Sequence, residues 1–192
     1  MTDPGIFSTQ QNEAIDIDAI LITHEHADHY HLDSVKALLK NNPMAVIVTN
    51  KAVGAILQHE GIAYTQVGEG ESTDIKGVKI EGFGREHAKI YEDYGNVENT
   101  GYLIQKKLYF PGDALHNPGQ GVDVLALPVY GPWMKISEAI DYAKEIKPKK
   151  VFNMHDAPMK EGMNFGLKVA SHFLPAAGIE FVSMEPGDTR EF

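Results

Sequence analysis

The stretch Thr23-His24-Glu25-His26-Ala27-Asp28-His29-Tyr30-His31 constrains this chain more than any other, because four of its nine histidines fall within it. It follows the apolar run Ala19-Ile20-Leu21-Ile22, which reads as a buried strand. The histidines therefore emerge at the rim of a sheet, where functional side chains commonly gather. In an extended continuation His24, His26 and Asp28 point the same way, since strand side chains alternate. A turn into the next helix then brings His29 back beside them. Two imidazoles can take one divalent ion while Asp28 and His29 serve a second. Nitrogen and carboxylate donors of this kind suit Zn²⁺, and also Mn²⁺ or Fe²⁺. An exposed histidine-rich loop with no ion is the competing reading. Cysteine is absent, so thiolate ligands, disulfides and a cysteine nucleophile are excluded.

The rest of the chain alternates between helical and strand patterns. Leu32, Val35, Leu38 and Leu39 recur at helical spacing before Asn41-Asn42-Pro43. A strand over 45–49 leads to a helix with Val53, Ile56 and Leu57 on one face, closed by Gly61. The middle is β-rich, with strands expected over 63–67, 78–83, 102–105 and 107–110. After a strand at 122–127, the stripe Ile136, Ala139, Ile140, Ala143 and Ile146 marks a helix that stops at Pro148. A strand at 151–154, a helix at 164–174 and a short strand at 179–182 complete the pattern. Sheets with helices outside them follow from this order. No repeat or linker divides the 192 residues, so a single domain over 1–192 is expected.

The motif His24-x-His26-x-Asp28-His29 after a strand resembles the signature of the metallo-β-lactamase superfamily. That family places three further ligands in a set order, and three candidates stand at strand ends here. His87 follows the 78–83 strand, Asp113 closes Tyr109-Phe110-Pro111-Gly112-Asp113, and His155 closes Val151-Phe152-Asn153-Met154-His155. Taken singly, Asp113 reads equally as a turn residue or helix cap, His155 as a core histidine and His87 as part of an exposed loop. The resemblance implies an α/β fold, an αββα four-layer sandwich, with two divalent metal ions, zinc first and manganese or iron as alternatives. By carry-over His24, His26 and His87 would hold one ion, Asp28, His29 and His155 the other, and Asp113 would bridge them. The segment from Leu125 through Gly131-Pro132 to His155 is similar to the small UlaG-like branch of metal-dependent hydrolases. Members of the family usually open with a β-hairpin ending in Asp-Pro. Here Asp3-Pro4 stands almost at Met1, so that hairpin is expected to be lacking, which would leave a sheet edge open to a second copy.

The function so implied is hydrolysis by a metal-bridging hydroxide, with Asp28 and Asp113 as catalytic carboxylates, on a small-molecule lactone, ester or phosphodiester. The UlaG resemblance points towards a sugar-phosphate lactone. Three residues are candidates for substrate contact. His116 stands three positions beyond Asp113, against the reading of a plain loop histidine. Tyr130 and Trp133 flank Gly131-Pro132, against the reading of core packing. Two rival functions remain: a nucleic-acid-processing nuclease of the same superfamily, and a metal-binding module without turnover. A net charge of −10 repels phosphate backbones, so no nucleic-acid partner is expected. Chelation separates the module from the enzyme, because a structural ion holds the fold and a catalytic ion holds only the activity. No apolar run approaches the ~20 residues of a membrane span. The first ten residues carry no basic-then-apolar pattern, so no membrane partner and a cytoplasmic location are the expectations.

Overall fold

The computed structural model describes residues 1–157 and 164–192. Its first sheet is parallel, in the order β1 (Ala19–Ile22), β2 (Val46–Thr49), β3 (Thr65–Gln66), with α1 (Leu32–Asn41) and α2 (Lys51–His59) as crossovers. The second sheet contains β4 (Ser72–Ile75), β5 (Val78–Phe83), β6 (Gly101–Ile104), β7 (Leu108–Phe110), β8 (Val124–Pro128), β9 (Lys150–Met154) and β10 (Glu180–Val182). These run in the order β10-β9-β8-β7-β6-β5-β4, antiparallel from β4 to β7 and parallel from β7 to β10. α3 (Ile136–Ile146) and α4 (Phe165–Ala176) pack on that sheet.

Side-chain alternation explains the layering. Ile20 and Ile22 of β1 face Val35, Leu38, Val53 and Leu57 of the first helix pair, while Leu21 faces the other way. It meets Val48, Ile80 and Tyr102 in a core between the two sheets. Leu125 and Leu127 of β8 face Ala139, Ala143, Ala170 and Leu174 of α3 and α4. Each sheet is thus apolar on both faces and covered on both, which gives the αββα sandwich.

Two elements differ from the sequence expectation. The strand β4 lies outside the expected set, because Ser72-Thr73-Asp74 is polar and carries no apolar strand pattern. It is an edge strand, joined to β5 by Lys76-Gly77, whose φ values of 54° and 82° are those of a two-residue hairpin turn. Residues 1–3 line the outer edge of β1, where Thr2 bridges Leu21 in parallel. Leu21 N donates to Met1 O and Asp3 N to Leu21 O, both at 2.9 Å. Among the described residues, no helix is long and apolar enough to cross a membrane.

Candidate metal centre

Strand direction brings the site together. β5, β7, β8 and β9 all run the same way, so the segments leaving their C-terminal ends share one rim of the second sheet. Thr100, which precedes β6, donates its N–H to Thr23 O and ties the end of β1 to that rim. His87, Asp113 and His155 leave β5, β7 and β9 there, and the histidine loop leaves β1. The loop does not stay extended through Asp28, in contrast to the alternating pattern expected of it. His29 N and Tyr30 N both donate to His26 O, a turn that carries Asp28 and His29 away from His26.

Two groups of donors result. His24, His26 and His87 form one, and Asp28, His29, Asp113 and His155 form the other, with the donor atoms of each group within 4.8 Å of one another. Asp113 joins them. Its Oδ1 lies 3.0 Å from His29 Nε2, and its Oδ2 lies 3.1 Å from His155 Nε2 and 3.4 Å from His87 Nε2. His155 reaches Asp28 Oδ2 at 3.2 Å. His155 has a left-handed backbone, φ 61°, at the end of β9, a conformation uncommon outside glycine.

The second layer fixes the imidazoles. His29 Nδ1 contacts Asp3 Oδ2 at 2.7 Å, His87 Nδ1 contacts Ala88 O and His155 Nδ1 contacts Tyr130 O, both at 2.6 Å. His24 Nδ1 meets Thr23 Oγ1 at 3.0 Å, and that hydroxyl donates to Asp3 Oδ2 at 2.6 Å. Asp3 Oδ1 accepts from Thr23 N. A third cluster, Asp3 with His24 and His29, also has ligand-like spacing. Its carboxylate is already committed to Thr23 and His29 Nδ1, so Asp3 belongs behind the donors rather than among them. With each Nδ1 held, His24, His29 and His155 present Nε2 inward. Those three nitrogens and Asp113 Oδ1 are buried without a hydrogen-bond partner of acceptable geometry. Buried polar atoms left so are rare. Lone pairs converging on a shared space fit a bound cation, so the donor set suits metal ions.

Asp113 is held by a tight turn. Asn99 accepts Asp113 N on Oδ1 and donates to Pro111 O. Gly112 has φ 66°, and a Cβ there would lie 2.3 Å from Asn99 Oδ1 and 2.8 Å from Thr23 Oγ1. Only glycine fits. Trp133 Nε1 donates to Asp113 Oδ2 at 2.7 Å, and its ring stands 6.0 Å from that of His87 and 6.1 Å from that of His155.

Charge divides the groups. Burial, then the nearby His29, push His24 far below the ordinary imidazole value, and burial with His87 lowers His26. Burial also disfavours the charged form of His29, but the Asp3 and Asp113 carboxylates outweigh it and raise it to about 10. His155 is raised to about 9 against burial, by Asp113 and Asp28. Burial opposes ionisation of Asp113, yet His155, His29 and His87 hold it well below the carboxylate range, and His155 lowers Asp28.

Of the residues picked out for substrate contact, Trp133 reaches the centre. Tyr130 reaches it only through its backbone carbonyl, and its side chain is exposed. His116 packs its ring on Gly84 and lies outside both donor groups. His31 occupies the N-cap position of α1 without a side-chain bond to the helix backbone, its Nδ1 2.9 Å from Ser34 Oγ. No local pattern marks Thr23 or Asn99 for the site, and the signal for Asp3 is the Asp3-Pro4 dipeptide.

A sandwich of this layering, with histidines and aspartates at strand ends on one rim, defines a metallo-hydrolase type of fold. The family model described as "Beta-lactamase superfamily domain" matches residues 1–155, and the chain belongs to that superfamily. Protein Rv0786c of Mycobacterium tuberculosis is 36% identical over 172 residues, which cover 85% of this chain and 80% of that protein. The UPF0173 metal-dependent hydrolase Ta0764 of Thermoplasma acidophilum is 27% identical over 169 residues, 81% of this chain and 72% of the relative. Among solved structures, a putative metal-dependent hydrolase from Parabacteroides distasonis superposes with a TM-score of 0.76. It is 23% identical, and the match covers 96% of this chain and 83% of that one. That likeness speaks for the fold.

Proposed function

We propose that this metal-dependent hydrolase of the β-lactamase superfamily works with two divalent ions, zinc first, on a small-molecule lactone, ester or phosphodiester. His24, His26 and His87 would hold one ion, Asp28, His29 and His155 the other, and Asp113 both. One observation carries the proposal: the inward Nε2 atoms of His24, His29 and His155, with Asp113 Oδ1, are buried together without a hydrogen bond of acceptable geometry. When bound, such ions supply an activated water at neutral pH and polarise the substrate oxygen under attack.

The chain supplies orientation and proton handling. Asp3 and Thr23 brace His29 and His24, and the carbonyls of Ala88 and Tyr130 brace His87 and His155. Asp28, with its side chain partly open to solvent beside His155, is placed to orient the attacking water and to carry a proton to the leaving oxygen. Trp133 donates to Asp113 Oδ2 and helps to hold that carboxylate in place.

Metal analysis of the purified protein, wild type and Asp113→Ala, tests the proposal. Near two equivalents are expected in the wild type, falling by at least one in the variant, with activity reduced about 10³-fold or more. A wild type that takes up no zinc or manganese on reconstitution would overturn it.

A further inference from the structure

The rim of the second sheet away from the metal centre carries a cavity of about 410 Å³. That volume lies within the roughly 300–1,000 Å³ of small-ligand sites. It sits where β7, β8 and β9 begin, and none of the metal donors lines it. Lys150 at its edge precedes His155 by the length of β9, about 16 Å at the usual rise of a strand.

Strand register builds its apolar floor. Ile104 pairs with Leu108, Leu108 with Val124 and Val124 with Lys150, so their side chains form one row across β6 to β9. Ile104 packs on the core between the sheets, so the row looks inward. The ring of Phe192 joins it, stacked on that of Phe152 with centroids 5.4 Å apart.

Charge on this rim runs against that of the chain. Five lysines, Lys106, Lys107, Lys147, Lys149 and Lys150, gather there in a protein of net charge −10. Lys107, Lys149 and Lys150 line the cavity together with Asp123. Asp123 Oδ1 takes Lys149 at 2.8 Å, and Glu180 Oε2 lies 3.6 Å from Lys150. Lys107 has no ion pair among the described residues, and the terminal carboxylate of Phe192 is bonded to none of these lysines. Asp123 N and Val124 N both donate to Lys107 O, while Lys149 N donates to Asp123 O, which sets the three side by side.

The turns here hold lysine against backbone preference. Gln105 and Lys106 form the β6–β7 turn at φ 53° and 55°, and Lys147 ends α3 at φ 56°. Glycine or asparagine fills such left-handed positions with least strain. Lys106 and Lys147 are exposed, so no buried contact compensates for the strain. A local preference broken without a compensating contact marks functional surface.

We propose that this cavity is a binding site, separate from the metal centre, for a small organic monoanion with an apolar body, an aliphatic carboxylate. The apolar body lies along Ile104, Leu108, Val124 and the Phe192 ring, and the carboxylate meets Lys107. One unpaired lining cation matches one negative charge, and Asp123 and Glu180 oppose a ligand that carries more. Lys106 and Lys147 add a positive field that draws an anion to this rim. No atom of the metal centre takes part, so the inference stands apart from the hydrolase reading.

Sodium hexanoate is the probe. The zinc-loaded protein is titrated with it and followed by backbone amide NMR, with hexan-1-ol and hexyltrimethylammonium as neutral and cationic controls of equal chain length. Saturable shifts are expected at Ile104, Lys107, Leu108, Val124 and Lys150, in the metal-free protein as well. Both controls should bind about tenfold more weakly or worse. Lys107→Glu should weaken hexanoate about tenfold, Lys107→Gln about threefold, since an exposed ion pair contributes little by itself, and Lys107→Arg about twofold at most. Lys107 is exposed, so these variants should fold, and circular dichroism checks that they do. Hexan-1-ol bound as tightly as hexanoate, or an unchanged affinity in Lys107→Glu, would overturn the proposal. So would shifts confined to the histidine loop, where the carboxylate would be meeting zinc, or no saturable shift at all. Hexanoate bound at this row by a protein that takes up no metal supports the site and sinks the hydrolase reading.

Discussion

The two donor groups sit side by side on one rim yet prepare their ligands in opposite ways. His24, His26 and His87 have no carboxylate of their own beyond the shared Asp113, and burial keeps His24 and His26 neutral. The nitrogens of His24 and His26 are ready to donate to a cation as they stand. In the other group Asp3, Asp28 and Asp113 crowd His29 and His155, which hold protons up to about 10 and about 9. An ion entering there must first displace protons, whereas its positive charge is better matched by the carboxylates. One group is preset for binding at neutral pH, and the other exchanges protons for metal.

His87→Ala and His155→Ala break the pair from either side, and the largest effects are expected here after Asp113→Ala. Each should remove about one equivalent of metal and lower activity about 10²–10³-fold. The remaining ion should behave differently in the two variants. In His155→Ala the retained first group should bind zinc with the smaller change between pH 6 and pH 8. In His87→Ala the retained second group should bind more tightly at the higher pH, because proton release accompanies uptake. Equal pH slopes in calorimetric titrations would erase the distinction.

Asp3→Asn acts on both groups through one side chain. The amide can still occupy the space, but it loses the charge that holds His29 and the acceptor that orients Thr23. Losing such a second-layer carboxylate typically lowers metal affinity about 10–100-fold. The loss should be greater at the second group, where Asp3 contacts His29 directly, than at the first, reached only through Thr23. Competition with a zinc-sensitive dye measures both steps, and a uniform loss would mean that Asp3 serves the fold rather than the donors.

This layered support also marks what could be seen in the sequence. The donors were legible because His24-x-His26-x-Asp28-His29 is local, and because His87, Asp113 and His155 each stand at the end of an apolar strand. The helices α1 and α3 were legible from their apolar stripes. Asp3, Thr23 and Asn99 were not, since their roles depend on contacts across 14 to 26 positions that no local pattern records. The expected turn in the histidine loop starts earlier than alternation suggests, at His26. Alternation put Asp28 beside His24 and His26, whereas the hydrogen bonds to His26 O turn it towards His155. β4 escaped because an edge strand needs little apolar surface, and its hairpin turn is Lys-Gly rather than Asn-Gly.

A smaller effect sharpens the contrast through stability. His29 and His155 have folded values raised above the ordinary ~6.5 of histidine. The stability they contribute to the metal-free protein is fully present below about pH 6.5 and is lost as pH rises through about 9 to 10. The metal-free protein should therefore melt about 3 °C or more lower at pH 10 than at pH 6.5, after correction with His155→Gln as reference. The zinc-loaded protein should show no such difference from these residues, because metal holds both imidazoles neutral throughout. A metal-free melting temperature that rises with pH would reverse the assigned sign.

The smallest expected effect comes from Trp133→Phe, and it asks whether Asp113 truly couples the groups. The substitution keeps an aromatic ring between His87 and His155 but removes the N–H that binds Asp113 Oδ2 at 2.7 Å. A hydrogen bond to a charged acceptor contributes about 1.5–3 kcal/mol when fully buried, and less where the donor is partly open, as here. Activity should fall about tenfold or less. Oδ2 faces His87 and His155 alike, so a displaced carboxylate should weaken zinc at both groups by similar factors. A loss confined to the second group would show that Asp113 leans towards His29 and His155 and only adjoins the first ion. The difference between the groups would then extend from their protons to the carboxylate they share.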